Sequence, residues 1–129
     1  MSEIVFLAVA GALGALSRYG LSGLVQRLSG TGFPYGTLVV NVLGSLIIGF
    51  VMQVGLNTDI IPRTLRVTIT VGFLGAFTTF STFSYETVGY LQDGAWLLAS
   101  LNIISNLGLC LLSTIIGMAL GRIVAGGAL

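Results

Sequence analysis

GFLGAFTTFSTFSYE, residues 72–86, falls where a third membrane span belongs, yet it is dense in hydroxyls. Within it Gly72, Gly75, Thr78, Thr79, Ser81, Thr82 and Ser84 are interleaved with Phe73, Phe77, Phe80 and Phe83, and Glu86 closes the run. Hydroxyls in hydrocarbon are tolerated when they back-bond to their own helix, but a cluster of them points to a polar or wet path. The same residues weaken the helix: paired β-branched threonines crowd the preceding turn, and Gly75 has no side chain to resist unwinding. Irregular backbone at membrane depth persists only where protein or a water-filled cavity receives its polar groups. The third span is therefore expected to break near its middle, at a packing seam or a permeation site.

Across the whole chain hydrophobic residues make up 55%, charged residues 7%, and mean hydropathy is +1.05. Soluble domains carry about 25% charged residues, so this is an integral membrane protein. At about 20 residues per span, the 129 residues hold four spans and short loops, a single transmembrane domain over residues 1–129. The formal charge of +1 with no basic cluster gives no footing for nucleic acid. One cysteine, Cys110, closes no intrachain disulfide, and without histidine the chain has no side-chain metal set. No nucleophile and base are paired, so an enzyme is not expected. The opening MSEIVFLAVAG lacks a basic signal-peptide region and is taken as part of a retained first span.

Span one is expected over Ile4 to Val25. Gly11, Gly14, Ala15, Arg18 and Ser22 share one of its faces, and Arg18 lies about 21 Å along it. An arginine there is either a membrane-edge anchor or an attractor of anions. Gly30, Gly32 and Pro34 mark a turn before span two, Gly36 to Leu56, where Thr37, Asn41, Ser45 and Gly49 form a second stripe. The Asn41 amide must find partners, as interhelical glue or in a pore. A loop over Asn57 to Arg66 precedes span three, Val67 to Leu91. Gln92, Asp93 and Gly94 then connect to span four, Ala95 to Arg122, too briefly for anything but antiparallel neighbours. Asn102, Asn106, Cys110, Ser113 with Thr114, Gly117 and Gly121 follow one face of span four. Four small or polar stripes exceed what one four-helix subunit needs, which implies an oligomer. Arg63, Arg66 and Arg122 on one side against Arg27 and Arg18 on the other give a weak positive-inside bias, compatible with insertion both ways.

GALSR around Gly14 and Arg18, GTLVVN over Gly36 to Asn41, and the TTFSTFS core from Thr78 to Ser84 resemble the small fluoride channels of the Fluc, or CrcB, family along essentially the whole chain. The resemblance implies an all-α membrane protein in the bacterial inner membrane, two four-helix subunits forming an antiparallel, dual-topology homodimer with two narrow pores. It implies passive fluoride export, with Asn41, Phe80 and Phe83 lining the pore, Ser81, Thr82 and Thr114 continuing a polar track, and Arg18 in the vestibule. It also implies a sodium ion at the dimer centre, held by the backbone carbonyls of Gly75 and Thr78. Cys110 departs from the pattern, standing where a track serine is expected.

Fluoride accepts hydrogen bonds and gives none, so a pore must offer donors in place of water. Amide and hydroxyl protons do so, and phenylalanine rings have a positive edge. Phe80 and Phe83, three apart, share a helical face, for anion contact or for ordinary packing. Glu86 beside an anion path must lie outside its narrow part, be hydrogen-bonded or be protonated. Two other functions are consistent with four small spans. A proton-coupled exporter of organic cations needs a membrane-embedded carboxylate, for which only Glu86 is placed. A non-transporting subunit would use the stripes for packing alone, which leaves the donor cluster unexplained.

Overall fold

The computed structural model describes residues 2–126, all helix and turn, with four helices or helical runs long and apolar enough to cross a membrane. Helix α1 (Ser2–Ser29) and helix α2 (Tyr35–Asn57) form the first two spans. The third runs over Arg63–Gln92 as α3 (Arg63–Val67), a π-helical stretch (Thr68–Leu74), α4 (Gly75–Phe77) and α5 (Phe80–Gln92). Helix α6 (Trp96–Val124) is the fourth. Leucines, isoleucines and valines on the outer faces are exposed, as lipid requires. The chain is a multi-pass membrane protein.

The spans begin and end where local chemistry directs. Gly30 and Gly94 take positive φ at the ends of α1 and of the α5–α6 turn, the conformation that glycine adopts without strain. Span three starts four residues before its expected boundary, because Pro62 precedes α3 in an extended conformation and leaves Arg63 free to open a helix. Arg66 is therefore helical, and its Nη1 donates to Gly55 O at 2.9 Å, satisfying a carbonyl near the end of α2.

The largest helix pairing joins α2 and α6, and glycines make it close. A Cβ on Gly117 would lie 2.1 Å from Leu46 O, and one on Gly49 would lie 2.5 Å from Thr114 O. Helix α1 packs along the first half of span three in the same way, since a Cβ on Gly14 would meet Phe73 O at 2.2 Å. Val40, Leu74 and Phe77 form the buried centre between α2 and the broken span, with Phe73 stacked on Phe77.

The break is where the sequence places it. Thr78 (φ −88°, ψ 160°) and Thr79 (φ −149°, ψ 116°) are extended between α4 and α5. The π-helical stretch just before it was not expected. There Thr68 and Thr70 hydroxyls bond back to Thr64 O and Arg66 O, competing with the regular ladder in the way that loosens helices.

Candidate functional site

A two-residue break leaves backbone groups without helical partners, and helix α2 supplies replacements. Asn41 Oδ1 accepts from Thr79 N at 2.8 Å, and Asn41 Nδ2 donates to Thr79 O at 3.1 Å. This reciprocal pair does for Thr79 what a neighbouring strand would do. Three residues on, Gly44 receives the Thr78 methyl, whose Cγ2 lies where a Cβ on Gly44 would go. Thr79 then starts α5, its Oγ1 accepting from Thr82 N at 3.2 Å.

The clamp continues into α6. Asn41 Nδ2 also donates to Asn106 Oδ1 at 3.2 Å, Asn106 Nδ2 donates to Asn102 Oδ1 and Asn102 O, and Asn102 Nδ2 donates to Thr87 Oγ1. Thr87 donates in turn to Phe83 O, which returns the chain of bonds to α5. Asn102 is fully buried and Asn106 nearly so, and each amide has partners, as burial demands. Both protons of Asn41 are committed within this network.

A cavity of about 300 Å³ opens beside the break, walled by Asn41, Ser45, Gly75, Thr78, Phe80, Phe83, Asn106 and Cys110 among others. The Phe80 and Phe83 rings lie 5.4 Å apart and tilted by 56°, Phe83 buried and Phe80 72% exposed. A second cavity, of about 540 Å³, is walled by Gln26, Thr37, Thr82, Glu86, Tyr90 and Asp93 among others. Thr37 donates to Glu86 Oε2 at 2.9 Å, while Glu86 Oε1 is buried without a partner among the described residues. Thr37 and Asn41 are one turn apart on α2, so a single helix face joins the two cavities.

A family model described as CrcB-like protein, Camphor Resistance (CrcB), matches residues 5–118. The chain belongs to the CrcB family. Among its CrcB relatives, one from Geobacter sp. (strain M21) is 52% identical over 122 residues, 95% of this chain and 98% of the relative. One from Citrifermentans bemidjiense is 50% identical over the same coverage, and one from Dehalococcoides mccartyi (strain CBDB1) is 51% identical over 124 residues, 96% of this chain and 95% of the relative. All three are named fluoride-specific ion channel FluC.

Against the CrcB expectations, the structure brings Asn41, Phe80, Phe83, Gly75 and Thr78 to the first cavity. Thr82 walls the second, and Ser81 is exposed near Thr79. Thr114 walls neither cavity; its hydroxyl donates to Cys110 O and its backbone faces Gly49. Arg18 likewise walls neither, and its Nε donates to Ala76 O at 2.9 Å. Asn102 and Asn106 share a polar face in the sequence that by itself assigns them no role. Their signal was two buried-cost amides one turn apart on an otherwise apolar helix.

The break also diverts the donors of two backbone carbonyls. In a continuous helix Gly75 O would accept from Thr79 N, and Thr78 O from Thr82 N. Thr79 N goes instead to Asn41, and Thr82 N to Thr79 Oγ1. Both carbonyls thus lose their helical donors, and Gly75 is exposed. Hard cations take such oxygens.

Proposed function

We propose that this chain conducts fluoride passively across the bacterial inner membrane, as an antiparallel dual-topology homodimer with two pores. The observation that carries the reading is the tilted Phe80 and Phe83 pair, set by a side-chain-clamped helix break at the wall of a cavity. The relatives' name supports fluoride as the ion. Those relatives are named as channels and not as enzymes.

On this reading the anion travels along the α2 face from the Thr37 and Glu86 cavity, past Thr82, to the groove beside Phe83 and Phe80. The Thr82 hydroxyl, which accepts from Thr79 Oγ1, keeps its own proton to offer. The ring edges supply weak positive contacts farther on. Serial weak sites suit conduction, which needs both admission and release. Asn41 walls the groove and holds Thr79, and so sets where Phe80 begins. The Thr114 backbone faces Gly49, so that residue belongs to the α2–α6 contact from which the track is built. Sodium at the dimer centre would be held by Gly75 and Thr78 carbonyls from both copies, tying the two broken spans together.

The test is fluoride efflux from fluoride-loaded liposomes. Wild-type protein is expected to release fluoride without a proton gradient and to exclude chloride. Phe80→Ile, which keeps bulk but removes the ring edge, is expected to slow release about tenfold or more, the rate equivalent of about 1.4 kcal/mol. Release that needs a proton gradient and saturates with a lipophilic cation would instead assign the coupled exporter, with Glu86 at its centre.

A further inference from the structure

Between the two carbonyls stripped of helical donors lie those of Ala76 and Phe77, and Ala76 O receives a donor from another helix. Its helical donor would be the Phe80 amide, which the break displaces to the start of α5. Arg18 Nε takes that place from helix α1 at 2.9 Å. The approach is built in: Gly14, one turn earlier on α1, brings the helix backbone against Phe73 O and the Ala76 methyl, and a Cβ there would meet both within 3.2 Å. Ser22 Oγ donates to Arg18 O at 2.6 Å on the next turn. Arg18 is half-buried.

We infer that Arg18 is a positioning residue of the broken span, acting through its Nε–H bond to Ala76 O and not through its charge on the anion. Asn41 fixes the break on the α5 side at Thr79, and Arg18 fixes it on the α4 side at Ala76. Between them the two side chains hold the ends of α4 and α5 in register across Thr78. They cover the Ala76 carbonyl and leave Gly75 and Thr78, whose helical donors are diverted, in the wall of the cavity shared with Phe80 and Phe83. The consequence for transport rests on the fluoride-channel reading above; the bond itself does not.

Two substitutions separate the bond from the charge, because side-chain topology places different atoms at the same point. Glutamine puts its Nε2–H₂ donor where arginine has Nε, and carries no charge. Lysine puts a methylene there and keeps the charge. Methionine has neither donor nor charge. The expected result is that Arg18→Gln releases fluoride within about threefold of wild type, since a neutral donor is weaker than a charged one, while Arg18→Lys and Arg18→Met slow it about tenfold or more. Wild-type rates from Arg18→Lys, or Arg18→Gln as slow as Arg18→Met, would overturn the inference.

A spectroscopic arm reads the bond without transport. Ala76–Phe77 is the only Ala–Phe pair in the sequence. Carbonyl-¹³C alanine with ¹⁵N phenylalanine therefore isolates the Ala76 carbonyl in an NMR spectrum. Its resonance is expected to stay near the wild-type position in Arg18→Gln and to shift to the unbonded position in Arg18→Lys. An unmoved resonance in Arg18→Lys would overturn the assignment even if wild-type protein released no fluoride, a failure that would count against the channel reading alone.

Discussion

Asn41→Ala is expected to destabilise the protein more than any other single side-chain truncation on α2. The substitution removes the acceptor of Thr79 N and the donor to both Thr79 O and Asn106 Oδ1. Two backbone groups in a membrane span then have no partner, at about 1–3 kcal/mol each, or about 2–6 kcal/mol together. Water reaching the cavity offsets part of this, so the lower half of that range is expected. Asn41→Asp is intermediate when ionised, since a carboxylate still accepts from Thr79 N but has no proton for Thr79 O. Asn57, whose exposed amide only bonds back to Gln53 O, is the comparison; Asn57→Ala is expected to change stability by less than about 0.5 kcal/mol. Unfolding in detergent followed by circular dichroism measures all three. Equal stability of Asn41→Ala and Asn57→Ala would show that the Asn41 bonds do not hold the break.

Gly117→Ala has an expected effect of similar size from the opposite cause. The added methyl would lie 2.1 Å from Leu46 O and 3.0 Å from Phe50 N, both backbone atoms of α2. No side chain can rotate away to make room. The helices must separate along the seam that Gly49 shares, where α2 and α6 pack. Overpacking costs about 1–3 kcal/mol where side chains give way, and this backbone contact is expected at the top of that range. Gly108→Ala is the control on the same helix. Nothing lies within 4 Å of a Cβ there, and alanine's helix propensity favours the variant by up to about 1 kcal/mol. The same unfolding experiment is expected to separate the pair clearly, and equal stabilities would contradict the close approach.

Some of this was legible in the sequence because it depends on neighbours in the chain. The four spans follow from hydropathy, and the turns follow from Gly30, Pro34 and Gly94. The break follows from Thr78 and Thr79 beside Gly75, residues that disfavour helix and can cap a new one. The start of span three is hidden because Arg63 and Arg66 read as loop by charge, whereas Pro62 ahead of them fixes the boundary. The π-helical stretch left no signal distinct from an apolar helix with threonines. The site was legible as a set of costly residues but not as a set of partners. Asn41 had to bond something, yet its partner Thr79 lies 38 residues away and is met through backbone atoms. Arg18 presents the same difficulty, since a backbone carbonyl such as Ala76 O has no sequence signature at all.

The most direct test of fluoride conduction is the reversal potential of the wild-type protein in a planar bilayer, with a tenfold fluoride gradient and symmetric chloride. A passive, fluoride-selective path predicts reversal at about 59 mV, the value for one elementary charge per tenfold gradient, unchanged when a pH difference is imposed. Reversal at zero under the fluoride gradient, or current that appears only with the pH difference, would contradict it.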